Sequence, residues 1–160
     1  MITRRFVVCL MMMLMITFFG VGTKAAAQKK SYTNYELKLL SSIIYCEAGW
    51  EPYSGKVAVG AVIMNRVKSS AFPNTIKSVI YQKNQFSPAS SGALRKTMQR
   101  YNSGKFTSKG EKDSIRAAKK VLKGNKEITY KGKALTLNRV HYFNSRLRGA
   151  KLKIAGHAFK

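Results

Sequence analysis

The sequence is short of acid. It has 6 Asp and Glu against 30 Lys and Arg, a formal net charge of +24 at pH 7. Cysteine (2), histidine (2), proline (3) and tryptophan (1) are also scarce. Each shortage excludes something. Cys9 lies in an apolar N-terminal run, so Cys46 has no partner for an internal disulfide, and packing alone must hold the domain. His141 and His157 have neither H-x-x-x-H nor H-E-x-x-H spacing, so no zinc motif is legible and no cofactor is implied. In "YNSGKFTSKGEK" the glycines are wrongly spaced for a phosphate-binding loop. Internal repeats and low-complexity segments are lacking. The charge itself sets the sign of the partner and says nothing about the fold.

What is present begins with an export pattern. "MITRR" is a short basic region, residues 6–22 are uncharged and apolar, and Ala25-Ala26-Ala27 supplies small residues for cleavage. This predicts a signal peptide over 1–27 and one mature domain over 28–160. An uncleaved anchor is the alternative, although about 17 residues is at the low edge for spanning a bilayer. Removing Arg4, Arg5 and Lys24 takes the 30 basic residues to 27 against 6 acids, leaving +21. Nucleic acid is the usual guess for so basic a domain. An exported chain instead meets wall phosphates, peptide-stem carboxylates or anionic lipid. We therefore expect secretion or wall association, anionic wall polymers as partners, no nucleic acid, and no stable membrane insertion after cleavage.

Periodicity predicts a mainly helical α+β domain. Thr33-Asn34-Tyr35-Glu36 is a capping box, followed at helical spacing by Leu37, Leu40, Ile43 and Ile44, with a stop at Gly49. Residues 52–68 predict a central helix headed by Pro52, with a valine-rich strand as the alternative. A short helix is expected around Ile76–Ile80, a loop over 84–92, and another helix after Ala93. A second capping box at Ser108–Glu111 starts a helix closed by Gly124. The segments 138–144 and 153–159 read as short strands.

The chemistry centres on "IIYCEAGWEP" (43–52), which holds two of the six acids. Helical phase puts Glu47 on the apolar face. Desolvation there raises a carboxyl pKa, as a general acid requires. Capping or pairing with a lysine is the plainer reading. Glu51 is a possible second carboxylate, but spacing across a turn fixes no distance. Glu36, Glu111, Asp113 and Glu127 read as capping or surface acids. Cys46 with a histidine would make a thiol nucleophile and base; a small buried hydrophobe is the competing role. Glu47, His141 and His157 are the conceivable zinc ligands.

At this point the motifs add up to a resemblance. "IIYCEAGWEPYSGKVAVGAVIMNRVKSSAFPNTIKSVIYQKNQFSP" is similar to the cell wall hydrolase family of spore cortex-lytic enzymes, the SleB and CwlJ type. "HYFN" and "GHAF" resemble its closing segment. The resemblance covers about residues 36–159 and is weakest over 93–135. It implies a lysozyme-like, lytic-transglycosylase-like domain cutting peptidoglycan glycan strands, in cell wall or spore cortex, with Glu47 as the one acid and base. Glu47 would protonate the oxygen between MurNAc C1 and GlcNAc, then take the proton of the C6 hydroxyl as a 1,6-anhydro ring closes. Gln85, Phe86 and Ser87 match the family's Q-F-S, and His141, Tyr142 and Asn144 its tail. With Glu51 they are the implied substrate-binding or site-orienting residues, although packing explains several equally well. Trp50 stands where relatives have a small residue, as a sugar platform or a core cover. Asn65 and Arg66 read as ties from the central helix to its neighbours. Two other readings remain: an N-acetylmuramoyl-L-alanine amidase or peptidase using Cys46 or a metal, and a non-enzymatic basic wall-binding protein.

Overall fold

The computed structural model describes residues 31–160. The expected signal peptide lies outside the described residues. Helix α1 spans Asn34–Ala48 and opens as predicted. The Glu36 amide donates to Thr33 Oγ1 (3.1 Å) and the Thr33 amide to Glu36 Oε2 (2.7 Å), satisfying donors that a helix start leaves unpaired. Leu37, Leu40, Ile43 and Ile44 are buried. Gly49 follows the last turn, but its backbone is right-handed (φ −54°). The stop comes from the Glu51 amide folding back onto the Ala48 carbonyl (3.0 Å).

Helix α2 (Tyr53–Lys68) follows directly, with Pro52 as its N-cap residue. Val57 to Ile63 is buried without a break, so this is the central helix and the strand alternative falls. Helices α3 (Ile76–Ile80), α5 (Ala93–Asn102) and α6 (Lys109–Leu122) match the predicted elements. The expected loop over 84–92 contains one helical turn, α4 (Ser87–Ser90). Pro88 sits in its first turn, where the missing N–H costs nothing.

Helices α1, α2 and α6 meet at Gly60. A Cβ there would stand 2.9 Å from Ile44 Cδ1 and 3.0 Å from Val121 Cγ2, so the close approach needs glycine. The predicted box at Ser108 forms, its amide donating to Glu111 Oε2 (2.8 Å). Glu111 is fully buried and also pairs with Arg100 (2.8 Å), which ties α5 to α6.

Beyond α6 lie two small antiparallel sheets. The hairpin β1 (Glu127–Tyr130) and β2 (Lys133–Thr136) was not foreseen. The second sheet has the order β3 (Phe143–Asn144), β5 (His157–Phe159), β4 (Leu152–Ile154). Only two residues of the expected 138–144 strand pair in it. Asn138 and Arg139 lie in a turn, and after it the His141 and Tyr142 amides both donate to the Lys160 carbonyl (2.7 and 2.9 Å). The architecture is thus α+β, mainly helical, with a small β portion at the C-terminal side, as predicted. Asn65 and Arg66 do tie α2 to that portion. Asn65 Nδ2 donates to the Leu137 and Val140 carbonyls (both 2.7 Å), and Arg66 Nε to that of His141 (2.7 Å).

Candidate active site

Glu47 occupies the last turn of α1, one helical turn after the buried Ile43 and next to the buried Ala48. It is half-buried, and this burial lifts its carboxyl above the usual carboxylate range. Among the described residues no hydrogen bond or ion pair reaches it. In a chain carrying 30 basic residues, a half-buried carboxylate with no cation on it is unexpected. It lines an open hollow of about 290 Å³ formed by Tyr45 through Glu51.

Cys46 faces away from nucleophilic chemistry. Its sulfur lies 3.3 Å from Thr97 Oγ1. Burial pushes the thiol pKa up, and the neighbouring Glu47 charge raises it further, the reverse of what a thiolate nucleophile needs. Neither histidine pairs with it. Glu47, His141 and His157 do not converge either, and no three potential metal ligands cluster among the described residues.

The turn after Glu47 is held from two sides. The buried Lys56 Nζ donates to the Gly49 (2.9 Å) and Glu51 carbonyls. The Glu51 carboxylate reaches the β4–β5 turn, where it accepts the Gly156 amide (3.2 and 3.3 Å) and lies 3.7 Å from His157 Nδ1. A Cβ at residue 156 would sit 2.6 Å from Glu51 Oε1, so only glycine admits this contact. Trp50, between these anchors, is fully exposed. It borders the Glu47 hollow and a second one of about 560 Å³ that also takes in Lys56, Lys109 and Asp113.

The tail residues gather around Arg66 rather than Glu47. The buried Arg66 donates Nη1 to Gln85 Oε1 (2.9 Å) and lies over the rings of Phe72 (5.1 Å), Tyr142 (5.4 Å) and Phe86 (5.5 Å). His141 stacks on Phe72 (5.9 Å). Phe86 is core, which corrects its assignment to substrate. Ser87 opens α4 and accepts Ser90 Oγ at its carbonyl (3.1 Å). Asn144 Oδ1 is taken by Ser145 Oγ (3.1 Å) and the Arg146 amide (3.4 Å). Among the described residues no hydrogen bond, ion pair or ring contact joins any of these to Glu47. One route does lead back to the turn. Phe86 packs on Phe143 (6.2 Å), Phe143 on His157 (5.2 Å), and His157 faces Glu51. His157 thus joins the site through Glu51, whereas the sequence offered it only as a zinc ligand or as a base for Cys46. Its place in "GHAF", behind an obligatory glycine, was the available clue.

A family model described as Cell Wall Hydrolase matches residues 50–159, beginning just after Glu47. The chain is 37% identical over 73 residues to the spore cortex-lytic enzyme of Oceanobacillus iheyensis, 46% of this chain and 26% of that protein. It is 39% identical over 70 residues to that of Bacillus subtilis, 44% of this chain and 23% of that protein. The matched part therefore spans about a quarter of these curated relatives. The catalytic domain of the germination-specific lytic transglycosylase SleB from Bacillus anthracis superposes with a TM-score of 0.58 at 25% identity, covering 80% of this chain and 95% of that one.

Proposed function

The chain belongs to the cell wall hydrolase family, and from that premise we propose that it cleaves peptidoglycan glycan strands between MurNAc and GlcNAc. Glu47 serves as general acid and then as base. The observation that carries this reading is the Glu47 carboxyl itself, half-buried, unpaired among the described residues, and with its pKa raised by burial. A carboxyl in that state keeps its proton to higher pH than an exposed glutamate and can release it to a leaving oxygen. As the glycosidic bond breaks, positive charge develops at MurNAc C1. The new Glu47 carboxylate stabilises that charge, then takes the C6 hydroxyl proton while the hydroxyl oxygen closes on C1. The product is a 1,6-anhydro sugar, and Glu47 ends protonated, ready for the next cycle. The structural neighbour is a lytic transglycosylase and the curated relatives are spore cortex-lytic enzymes, which supports the same reaction class.

Around Glu47, the exposed Trp50 ring offers a face for a pyranose, and Glu51 holds the turn that carries both. The enzyme works outside the cytoplasm, after loss of residues 1–27, on a wall whose anionic polymers its charge attracts. Product mass spectrometry on digested peptidoglycan tests the reading. Anhydro-muropeptides are expected; freed stem peptides with intact glycans would overturn it in favour of an amidase. Glu47→Gln should lower turnover by about 10²–10⁴ or more, the usual worth of a positioned acid. Cys46→Ser and EDTA should leave activity within a factor of about two, since neither thiol nor metal takes part in the steps above.

A further inference from the structure

The Glu47 hollow continues around the surface. It shares Trp50 and Glu51 with the hollow above Lys56, and that one shares Pro52 and Tyr53 with a third, of about 610 Å³, between the start of α2, the end of α6 and the β1–β2 hairpin. The chemistry changes along this path. The third hollow has an apolar floor from Pro52, Ile128 and the ring of Tyr53, and two lysines from separate elements, Lys120 on α6 and Lys131 at the hairpin turn. Lys131 Nζ lies over the Tyr130 ring (5.8 Å). Among the described residues neither lysine has an acidic partner within ion-pair distance; Lys109 and Arg116 are both tied to Asp113 (3.0 and 2.8 Å), and the Arg116 guanidinium lies over the Tyr53 ring (4.6 Å). Glu127, the one acid lining the hollow, is exposed and pairs with neither lysine.

We infer that this third hollow binds the free carboxylates of the stem peptide attached to the MurNAc being cut. The inference rests on the proposed glycan cleavage at Glu47 and names a specificity element of that site. A stem peptide leaves the sugar next to the scissile bond. Extended at about 3.3 Å per residue, a stem of four residues spans about 13 Å from the sugar. Its methyl groups and backbone suit the apolar floor. Its carboxylates are exposed anions, which the compact ammonium groups of two lysines on flexible stems can follow as the peptide moves. A phosphate polymer would use the charge and leave the floor unused.

The test compares labelled glycan strands with stems intact and strands stripped of stems by an amidase, using the full chain. Wild type should cleave intact strands with a KM about three- to tenfold lower than stripped ones, the effect of two solvent-exposed ion pairs. Lys120→Glu with Lys131→Glu should abolish that preference and leave turnover of stripped strands unchanged. Lys77→Glu with Lys105→Glu makes the same change in net charge away from the hollow and should keep the preference. No preference in wild type, a preference surviving in the first double variant, or equal loss in the second would each overturn the assignment. So would equal competition by a stem-free phosphate polymer. Failure of the glycan-cleavage reading shows separately, as unchanged turnover in Glu47→Gln; binding of the same strands, read by anisotropy, then still reports on the hollow.

Discussion

Glu47, the proposed acid and base, is half-buried at a cost in stability. In the unfolded chain its carboxyl ionises near the ordinary glutamate value, about 4.3. In the native state burial delays ionisation to higher pH. Between the two values the native state binds more protons, so its stability falls as pH rises, and above the folded value the whole penalty persists. Glu47→Gln removes the charge. It should melt higher than wild type at pH 7, with the difference vanishing below about pH 4, where wild type is also neutral; a scan of melting temperature against pH reads this directly. Gly156 gives a second prediction at this scale. In Gly156→Ala the new methyl displaces the Glu51 carboxylate that now stands 2.6 Å from its place. Loss of the amide bond and the local strain should cost about 1–3 kcal/mol, and kcat should fall more than KM rises. Adding Glu51→Asp, whose shorter side chain clears the methyl, should restore part of kcat.

Among the elements, α6 depends most on a single acid. Burial alone would raise the Glu111 carboxyl; the Ser108 amide and hydroxyl and the Arg100 guanidinium outweigh it and hold the group below its ordinary value. Its stabilising effect is present above the unfolded value and is lost as pH falls through the folded one. Glu111→Gln keeps the capping box but loses the charge opposite Arg100. It should destabilise the protein by about 1–3 kcal/mol at neutral pH, with urea unfolding curves converging toward wild type in acid. Both capping boxes were legible in the sequence because their partners are three residues apart. The β1–β2 hairpin was not. Its two-residue turn uses Lys131 (φ 50°) and Gly132 (φ 75°), without the Asn-Gly or Asp-Gly pair that usually announces such a turn. Of its eight strand residues only Ile128 is buried, and the Glu-Ile-Thr-Tyr alternation of β1 is too short to mark a strand by itself. The α4 turn hid in the same way, because Ser, Pro and Ala over four residues carry no helical period.

Across the whole molecule, the helical phase that points Glu47 inward could be read from α1 alone, whereas the Glu51–Gly156 contact could not. It joins residues 105 positions apart in sequence, and no local pattern encodes that pairing. The net charge of +24 acts at the same global scale. Its field reaches about 8 Å at 0.15 M salt and about 3 Å at 1 M. Binding of the inactive Glu47→Gln protein to walls bearing anionic polymers should therefore weaken at least about tenfold between 0.05 and 0.5 M NaCl. Unchanged binding would show that contacts in the hollows, rather than long-range attraction, hold the protein on its wall.

The clamp between Glu51 and Gly156 also sets an order of events during synthesis. The helix bearing Glu47 leaves the ribosome early, and the amide that fixes its adjoining turn follows 105 residues later. Every nascent intermediate before that moment has the turn beside Glu47 held from the Lys56 side alone. The second brace is thus among the last contacts to close, and the turn reaches its final form only with the C-terminal sheet.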